Sequence, residues 1–394
     1  MTADREAIGR VFRVESGRSV AALIAMFGDI DLAEDAVQDA FAIAVRRWPA
    51  EGMPPNPGGW ITVTARNRAI DKVRRDARGN ELLRDTTMEP TGADTVPDDR
   101  LRLIFTCCHP ALAPQSQVEL TLRLLCGLST ADVARAFLTN EPAMAKRLVR
   151  TKHKIKAANI PYRIPDDTEL PDRLRAVQAA IYLTYSTGYC EPHRSPDLSG
   201  EAIDLGRMLR LLMPDEPEVA GLLALMLLTQ ARRRSRTDST GELVLLRDQD
   251  RRLWDRALIR EGHSLVRWCL RRNEPGHYQL EAAIAAVHAE APAFEDTDWQ
   301  QILALYDQLM TVAPTPVVAL NRAVAVGEVH GAARGLHEID QINLPSYYPF
   351  HAARAEFLHR QGHFEDAVRA FRTAAWLAPD GAERRYLQRR LHSC

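Results

Sequence analysis

Apolar residues recur at helical spacing in nearly every long segment of this 394-residue chain, and runs of β-branched residues bounded by turn signals are missing. A chain patterned this way has no strands to pair, so it is expected to be all-α. Its length is too great for one ordinary core, and two to four domains are expected. With 46% hydrophobic and 26% charged residues the composition is that of a globular protein. No apolar run approaches the roughly 18 residues needed to cross a bilayer. The first ten residues alternate in charge and lack the apolar core of a signal peptide, so a cytoplasmic location away from membranes is expected.

Six cysteines (Cys107, Cys108, Cys126, Cys190, Cys269 and Cys394) are scattered over the chain, which suits reduced thiols rather than a disulfide framework. Cys107-Cys108-His109 resembles a metal cluster only superficially. Adjacent cysteines lack the spacer that lets two thiolates converge on one zinc, and no second pair follows, so neither metal nor cofactor is expected.

Net charge is −1, yet the charge is unevenly placed. Between Arg66 and Arg78 six basic residues face two acidic ones, and between Glu141 and Ala157 six face one. Residues 6–27 read as a helix. After the break at Gly28–Asp31, Leu32 to Trp48 form an amphipathic helix with Leu32, Ala36, Ala40, Ile43 and Ala44 toward the core, closed by Pro49. The Gly52–Gly59 stretch, rich in proline and glycine, reads as a loop, and Trp60 opens the first basic helix. That helix puts Arg68, Lys72 and Arg75 on one stripe beside Val63, Asn67 and Ile70, an arrangement suited to phosphates. Trp60 fits core burial or base stacking on single-stranded DNA.

A polar stretch from Gly79 to Asp98 reads as a flexible linker. Beyond it, Ser129 caps a short helix burying Val133, Ala134 and Phe137. Asn140 caps the next, with Pro142 in its first turn. Met144, Leu148 and Ile155 share one face of this second helix, and Lys146, Arg150 and Lys154 line another. This is helix-turn-helix geometry, in which a basic helix enters the major groove. The proline-flanked Ile160–Pro165 segment is expected to end this unit. Downstream helices continue to the C-terminus, interrupted by a mobile-looking stretch at Arg232–Gly241. Near the end, Tyr306, Leu336 and Phe371 are followed by Pro314, Pro345 and Pro379, each closing the second helix of a pair, in a tetratricopeptide-like pattern of about 34 residues.

Asp31-Leu32-Ala33-Glu34-Asp35-Ala36-Val37-Gln38-Asp39-Ala40-Phe41, followed by Trp60-Ile61-Thr62-Val63-Thr64-Ala65-Arg66-Asn67-Arg68-Ala69-Ile70-Asp71-Lys72-Val73-Arg74-Arg75, closely resembles region 2 of extracytoplasmic-function sigma factors. The resemblance implies docking of Asp35, Gln38, Asp39 and Phe41 on the β′ clamp helices of core RNA polymerase. It also implies melting and reading of the −10 promoter element by the Pro54–Gly59 loop with Trp60, Arg66, Asn67, Asp71, Arg74 and Arg75. The helix-turn-helix resembles region 4, which implies contacts to the −35 element from Ala143, Lys146, Arg147 and Arg150 and to the β flap. Leu138 stands where the family often has glycine, and Ala145 where it often has a basic residue.

The remainder resembles the C-terminal extension of an extended subgroup, through Leu211–Glu218, Asp248–Arg251 and Ala319–Val326. Such extensions are thought to regulate the factor through an intramolecular contact or a protein partner. The domain expectations are therefore region 2 over residues 1–80, a linker over 81–98, region 4 over 99–160, a helical extension over 161–290 and tetratricopeptide-like repeats over 291–394. A helix-turn-helix activator with a repeat-type sensor is the rival, but it gives no reason for the acidic helix or for Trp60. An enzyme is disfavoured, since no phosphate loop, dinucleotide fingerprint, nucleophile elbow or zincin helix occurs and no catalytic residue stands out. The Tyr185–His193 segment gathers polar side chains, which fit helix-end packing better than a ligand pocket.

Overall fold

A computed structural model of the chain describes residues 5–77, 96–137, 139–190, 197–379 and 381–393. Regular structure among them is helical, apart from one isolated antiparallel bridge between Thr237 and Leu243. The chain forms two compact units, Met1–Leu212 and Met213–Cys394. Most of the expected linker, residues 78–95, lies outside the described residues, as does Leu138 in the helix-turn-helix turn.

The first unit opens with α1 (Arg5–Phe27), α2 (Ile30–Glu51) and α3 (Pro57–Ala77). Gly28, at φ 66°, reverses the chain, and Asp29 caps α2 by accepting a bond from the Leu32 amide at 3.0 Å. The buried stripe of α2 is Ala33, Ala36, Val37, Ala40, Phe41, Ala44 and Trp48, whereas Leu32 and Ile43 are only half-buried. Alanines flank both sides of the stripe, so composition alone misplaces it by a fraction of a turn. Pro49 does not close α2. In the last turn a proline removes a single intrahelical bond, and the helix runs on to Glu51 before Gly52 (φ 84°) ends it.

Helix α3 likewise begins three residues before Trp60. Asn56 caps it, taking the Gly59 amide on Oδ1 at 2.9 Å, and Pro57 occupies the first position, where its missing N–H costs nothing. Gly58 packs against α1, where a Cβ would lie 2.4 Å from the Glu15 carboxylate, the movable end of a flexible side chain.

The rest of the unit is α4 (Val96–Cys107), α5 (Pro114–Leu124), α6 (Thr130–Ala136), α7 (Glu141–Ala157), α8 (Leu170–Cys190) and α9 (Leu198–Leu212). The expected boundary at 160/161 is not a division between compact units. Buried Arg173 of α8 donates to the Phe105 carbonyl of α4 at 2.5 Å, so α8 and α9 share a unit with α4 and α5. Helix α1 joins the two halves of the unit. Gly17 lies so close to the loop after α5 that a Cβ would stand 2.3 Å from the Leu125 carbonyl, and the Tyr162 hydroxyl bonds the carbonyls of Ala21 (2.9 Å) and Asp99 (3.0 Å).

The second unit comprises α10 (Pro217–Ala231), α11 (Arg256–Arg272), α12 (His277–Glu290), α13 (Trp299–Val312), α14 (Pro316–His330), α15 (Ala332–Asp340), α16 (Tyr348–Arg360), α17 (Phe364–Leu377) and α18 (Ala382–Ser393). Leu280, Ile284 and Val287 share one apolar cluster with Ile302, Leu309 and Val318, which bridges the expected 290/291 boundary. Pro314, Pro345 and Pro379 follow α13, α15 and α17.

The stretch read as mobile is held in place. The Trp254 indole donates to buried Ser235 Oγ at 2.8 Å, Arg236 pairs with Glu383 at 2.6 Å, and Glu242 pairs with Arg385 (2.6 Å) and Arg389 (2.8 Å) of α18. Glu383, Arg385 and Arg389 lie more than a hundred residues downstream, beyond the reach of local composition.

Gly17→Ala must push a methyl group into a backbone carbonyl and is expected to cost about 1–3 kcal/mol, read as a lower urea midpoint. Gly9→Ala, also in α1 but with nothing within 4 Å of an added Cβ, is expected to be neutral or stabilising by up to about 1 kcal/mol.

Candidate nucleic-acid interface

Helix α2 turns one acidic edge outward. Asp35, Gln38 and Asp39 are exposed, and Asp35 pairs with Lys72 of α3 at 2.6 Å. Phe41, expected beside them as a contact residue, lies on the opposite face. It is 5% exposed, with its ring 4.4 Å from that of Phe12 on α1, so it anchors the helix from beneath.

On α3, Asn67, Asp71, Arg74 and Arg75 are exposed, while Arg66 is half-buried. Trp60 is half-buried edge-on against fully buried Trp48, with ring centroids 5.3 Å apart. Core packing thus holds the indole while leaving part of it accessible. Val63, 59% exposed, lies between Trp60 and Asn67 on the same face. Sequence reasoning gave it no role, although its spacing from both places it on that stripe. Lys72 is engaged by Asp35 and is set apart from the other basic side chains of this helix.

The helix-turn-helix is built as its caps require. Ser129 and Asp132 form a reciprocal capping box at α6, and Asn140 Oδ1 accepts the Ala143 amide at 2.9 Å at the start of α7. Val133 and Ala134 are buried and Phe137 half-buried; Met144, Leu148 and Ile155 pack inward. Lys146, Arg150 and Lys154 are exposed, and Ala143 is half-buried.

Arg147 stands apart. Its guanidinium is bonded to Glu119 of α5, whose side chain is 1% exposed. Burial pushes the Glu119 carboxyl up even against the pull of Arg147. Arg147 therefore serves first as the counter-ion of a buried acid.

A second set of charges joins α2 to the helix-turn-helix. Arg123 of α5 bonds Glu34 at 2.6 Å; Lys152 of α7 reaches Asp31 at 2.5 Å and Glu34 at 3.1 Å; Lys156 reaches Asp29 at 3.1 Å and Asp31 at 3.3 Å. Burial disfavours charge on Asp29 and Asp31. The lysines, with backbone amides at Asp29, outweigh it and hold both carboxyls below their ordinary value. Burial also opposes the charge on Lys152, but Glu34 and Asp31 prevail and raise it. Sequence reasoning missed this network because its members lie about 90 to 130 residues apart.

Two other candidates lie elsewhere in the first unit. Cys107 and Cys108 are buried, reduced thiols; burial raises Cys107 well above the usual range and Cys108 to about 11, and no group of three potential metal ligands occurs among the described residues. In the Tyr185–His193 segment, Tyr185 is buried and stacks on Tyr182 and Tyr189 along α8, while residues 191–196 lie outside the described residues. No helix among the described residues is long and apolar enough to cross a membrane.

Comparison with known proteins agrees with this geometry. Residues 16–79 match the model for sigma-70 region 2, and residues 173–270 match a family of unknown function, DUF6596. A Rhizobium meliloti protein named "Uncharacterized protein R00370" is 42% identical over 391 residues, covering 95% of this chain and 92% of its own. The ECF RNA polymerase sigma factor BldN of Streptomyces coelicolor is 28% identical over 175 residues, covering 42% of this chain and 62% of its own. No solved structure matches. The helices α1–α3 with the region 2 match define a sigma-70-type subunit, a class that binds core RNA polymerase and promoter DNA to initiate transcription. Within that class the chain belongs to the extracytoplasmic-function sigma factors, and its extension carries the DUF6596 segment.

Arg147→Ala is expected to strand the Glu119 carboxylate and cost about 3 kcal/mol in urea unfolding, and a further Glu119→Gln change should recover more than half of it. Because the raised Glu119 pKa favours the protonated folded form, the deficit of Arg147→Ala should shrink as pH falls from 7 to 5. The Asp29 and Asp31 pairs have the opposite sign. Their contribution is full above the unfolded value of 3.8 and is lost as pH falls through the lower folded values, so acid melts should be steeper for the native chain than for Lys152→Met/Lys156→Met.

Proposed function

We propose that α1–α3 act as region 2 and α4–α7 as region 4, and that the C-terminal helices regulate their use. In this reading Asp35, Gln38 and Asp39 dock on the β′ clamp helices, with Phe41 supporting them from the core, and region 4 meets the β flap. The Pro54–Asn56 turn with Trp60, Arg66, Asn67, Asp71, Arg74 and Arg75 opens and reads the −10 element. Flipping a base from the stack costs a few kcal/mol, and an indole held on one side by Trp48 offers a surface on which the extruded base recovers it. Ala143, Lys146 and Arg150 approach the −35 element, with Arg147 oriented by Glu119.

The observation that carries the reading is the setting of α3. An exposed polar and basic face begins at a tryptophan wedged against the core and lies beside the acidic helix α2. The hairpin succession from α12 to α17 supports reading the last helices as tetratricopeptide-like, and such an array suits a protein partner or an internal contact.

In vitro transcription with bacterial core polymerase on a promoter library tests this, using the full chain and a truncation ending at Leu212, where the first unit ends. Start-site-specific transcripts are expected, and the ratio between the two proteins gives the sign of regulation. Absence of transcripts and of core binding with both would overturn the reading. Asp35→Ala/Asp39→Ala should weaken core binding by about 10-fold, roughly 1.4 kcal/mol. Lys146→Ala/Arg150→Ala should leave core binding intact while reducing the salt slope of duplex DNA binding by about 2, as expected for two lost phosphate contacts.

A further inference from the structure

We infer that helix α11 of the second unit is a phosphate-binding stripe, through which the C-terminal extension makes its own sequence-independent contact with duplex DNA. The inference deepens the proposed function and rests on the sigma-factor reading only for the source of that duplex, the promoter.

Arg256, Arg260, Arg267 and Arg271 are all exposed, and their spacings of four, seven and four residues put them on one line of the helix. At 3.6 residues per turn they fall within about 60° of arc and extend along about 22 Å of axis. Ser264, small and exposed, lies beside the middle of the row. The other side anchors the helix. Ile259, Gly262, Val266 and Cys269 are buried, a Cβ on Gly262 would stand 2.6 Å from the Leu228 side chain of α10, and the Cys269 thiol donates to the Pro217 carbonyl at 3.5 Å. Neighbouring charges have fixed duties that the four arginines lack. Asp255 caps the helix by accepting the Ala257 and Leu258 amides, and Arg272 pairs with Asp215 at 2.9 Å while its guanidinium covers the Trp268 ring. None of the four arginines of the row joins an ion pair among the described residues.

This placement opposes the helix's own electrostatics. Arg256 repels Arg260 one turn on, Arg267 repels Arg271 in the same way, and no acid within the helix stands three or four residues from any of them. Arg256 also occupies the first helical position, where the macrodipole disfavours a cation. Local helix stability therefore gives no reason for the row, whereas a continuous polyanion relieves both repulsions at once. Duplex DNA has the matching form. Its phosphates follow one another about every 3.4 Å of axis on each strand, so a straight row of guanidiniums meets charge wherever it comes to rest. A base-reading helix presents its N-terminal side chains to the groove, but these arginines run from the first turn to the last, which suits tracking of the backbone. An acidic protein surface would instead have to place four carboxylates at matching intervals.

The test measures binding of a random-sequence duplex by the full chain as salt is varied, in the Lys146→Ala/Arg150→Ala background so that α7 contributes little. Arg256→Gln/Arg260→Gln/Arg267→Gln/Arg271→Gln should lower the slope of log affinity against log salt by about 3.6, as four lost phosphate contacts would, and weaken binding by roughly 10-fold or more at low salt. Replacing the same four arginines by lysine should keep the slope, because a phosphate answers the charge. The glutamine variant should melt no lower than its parent, since two repulsive pairs are removed, which separates lost binding from lost folding. An unchanged slope would overturn the inference. So would intact duplex binding with weakened binding to core polymerase, which would assign the row to an acidic protein surface. If the native chain gave neither core binding nor start-site-specific transcripts while the slope still responded, the sigma reading would fail and the DNA contact would stand.

Discussion

A carboxylate taken out of water costs several kcal/mol unless a cation comes with it, and Glu34 is 13% exposed in the middle of the first unit. Its two oxygens are answered by Arg123 from α5 and Lys152 from α7. This three-centre contact links α2 to both α5 and α7. The apolar seam lies instead along α1, where Gly17 lets the backbone of Leu125 approach to a distance no side chain would allow. Packing on α1 sets the approach of the two halves, and charge on α2 sets their register. Salt screens the charges of this junction but does not screen its packing.

The same distinction separates the basic residues of α7. Lys146 and Arg150 stand in solvent, while Arg147 is committed to buried Glu119 and Lys152 to Asp31 and Glu34. A run of positive charge in sequence thus falls into three sets in space, one left in solvent, one paired with a buried acid of α5 and one paired with α2. On α3 the division recurs, with Lys72 given to Asp35 and Asn67, Arg74 and Arg75 left outward. Counting basic residues overstates the electrostatic footprint offered to nucleic acid.

Much of the first unit was legible because its signals are local. Ser129 and Asn140 cap where their side chains can reach the next turn's amides, and Met144, Leu148 and Ile155 bury one face by period alone. The errors have equally local causes. Proline was read as a stop at Pro49 and as loop at Pro57, yet in a last turn it forfeits one bond and in a first turn none. Phe41 was grouped with exposed neighbours through a resemblance, although its spacing from Val37, Ala40 and Ala44 already placed it in the core stripe. Legibility ended at contacts between distant segments. Neither the Arg173 bond to Phe105, which carries the first unit past residue 160, nor the Glu34 network has any trace in a local window.

The second unit shows how such long-range charge alters an array of hairpins. Stacked repeats touch only their neighbours, so nothing in their periodicity joins the segment after α10 to the last helix. Here Arg236 and Glu242 reach Glu383, Arg385 and Arg389 of α18, and Arg247 shares Glu356 of α16 with Arg360 and Arg390. Arg251, buried, donates to the carbonyls of His288 and Ala291 at the end of α12, both at 2.6 Å, satisfying acceptors that the helix end leaves open. One irregular segment thereby ties the start of the array to its finish and turns a row of neighbour contacts into a closed set. In an open array a hairpin can fray from the end at the cost of a single interface. In a closed one the terminal helix α18 cannot leave without also stripping the counter-ions from Glu242, so its fraying costs those ion pairs in addition to the interface.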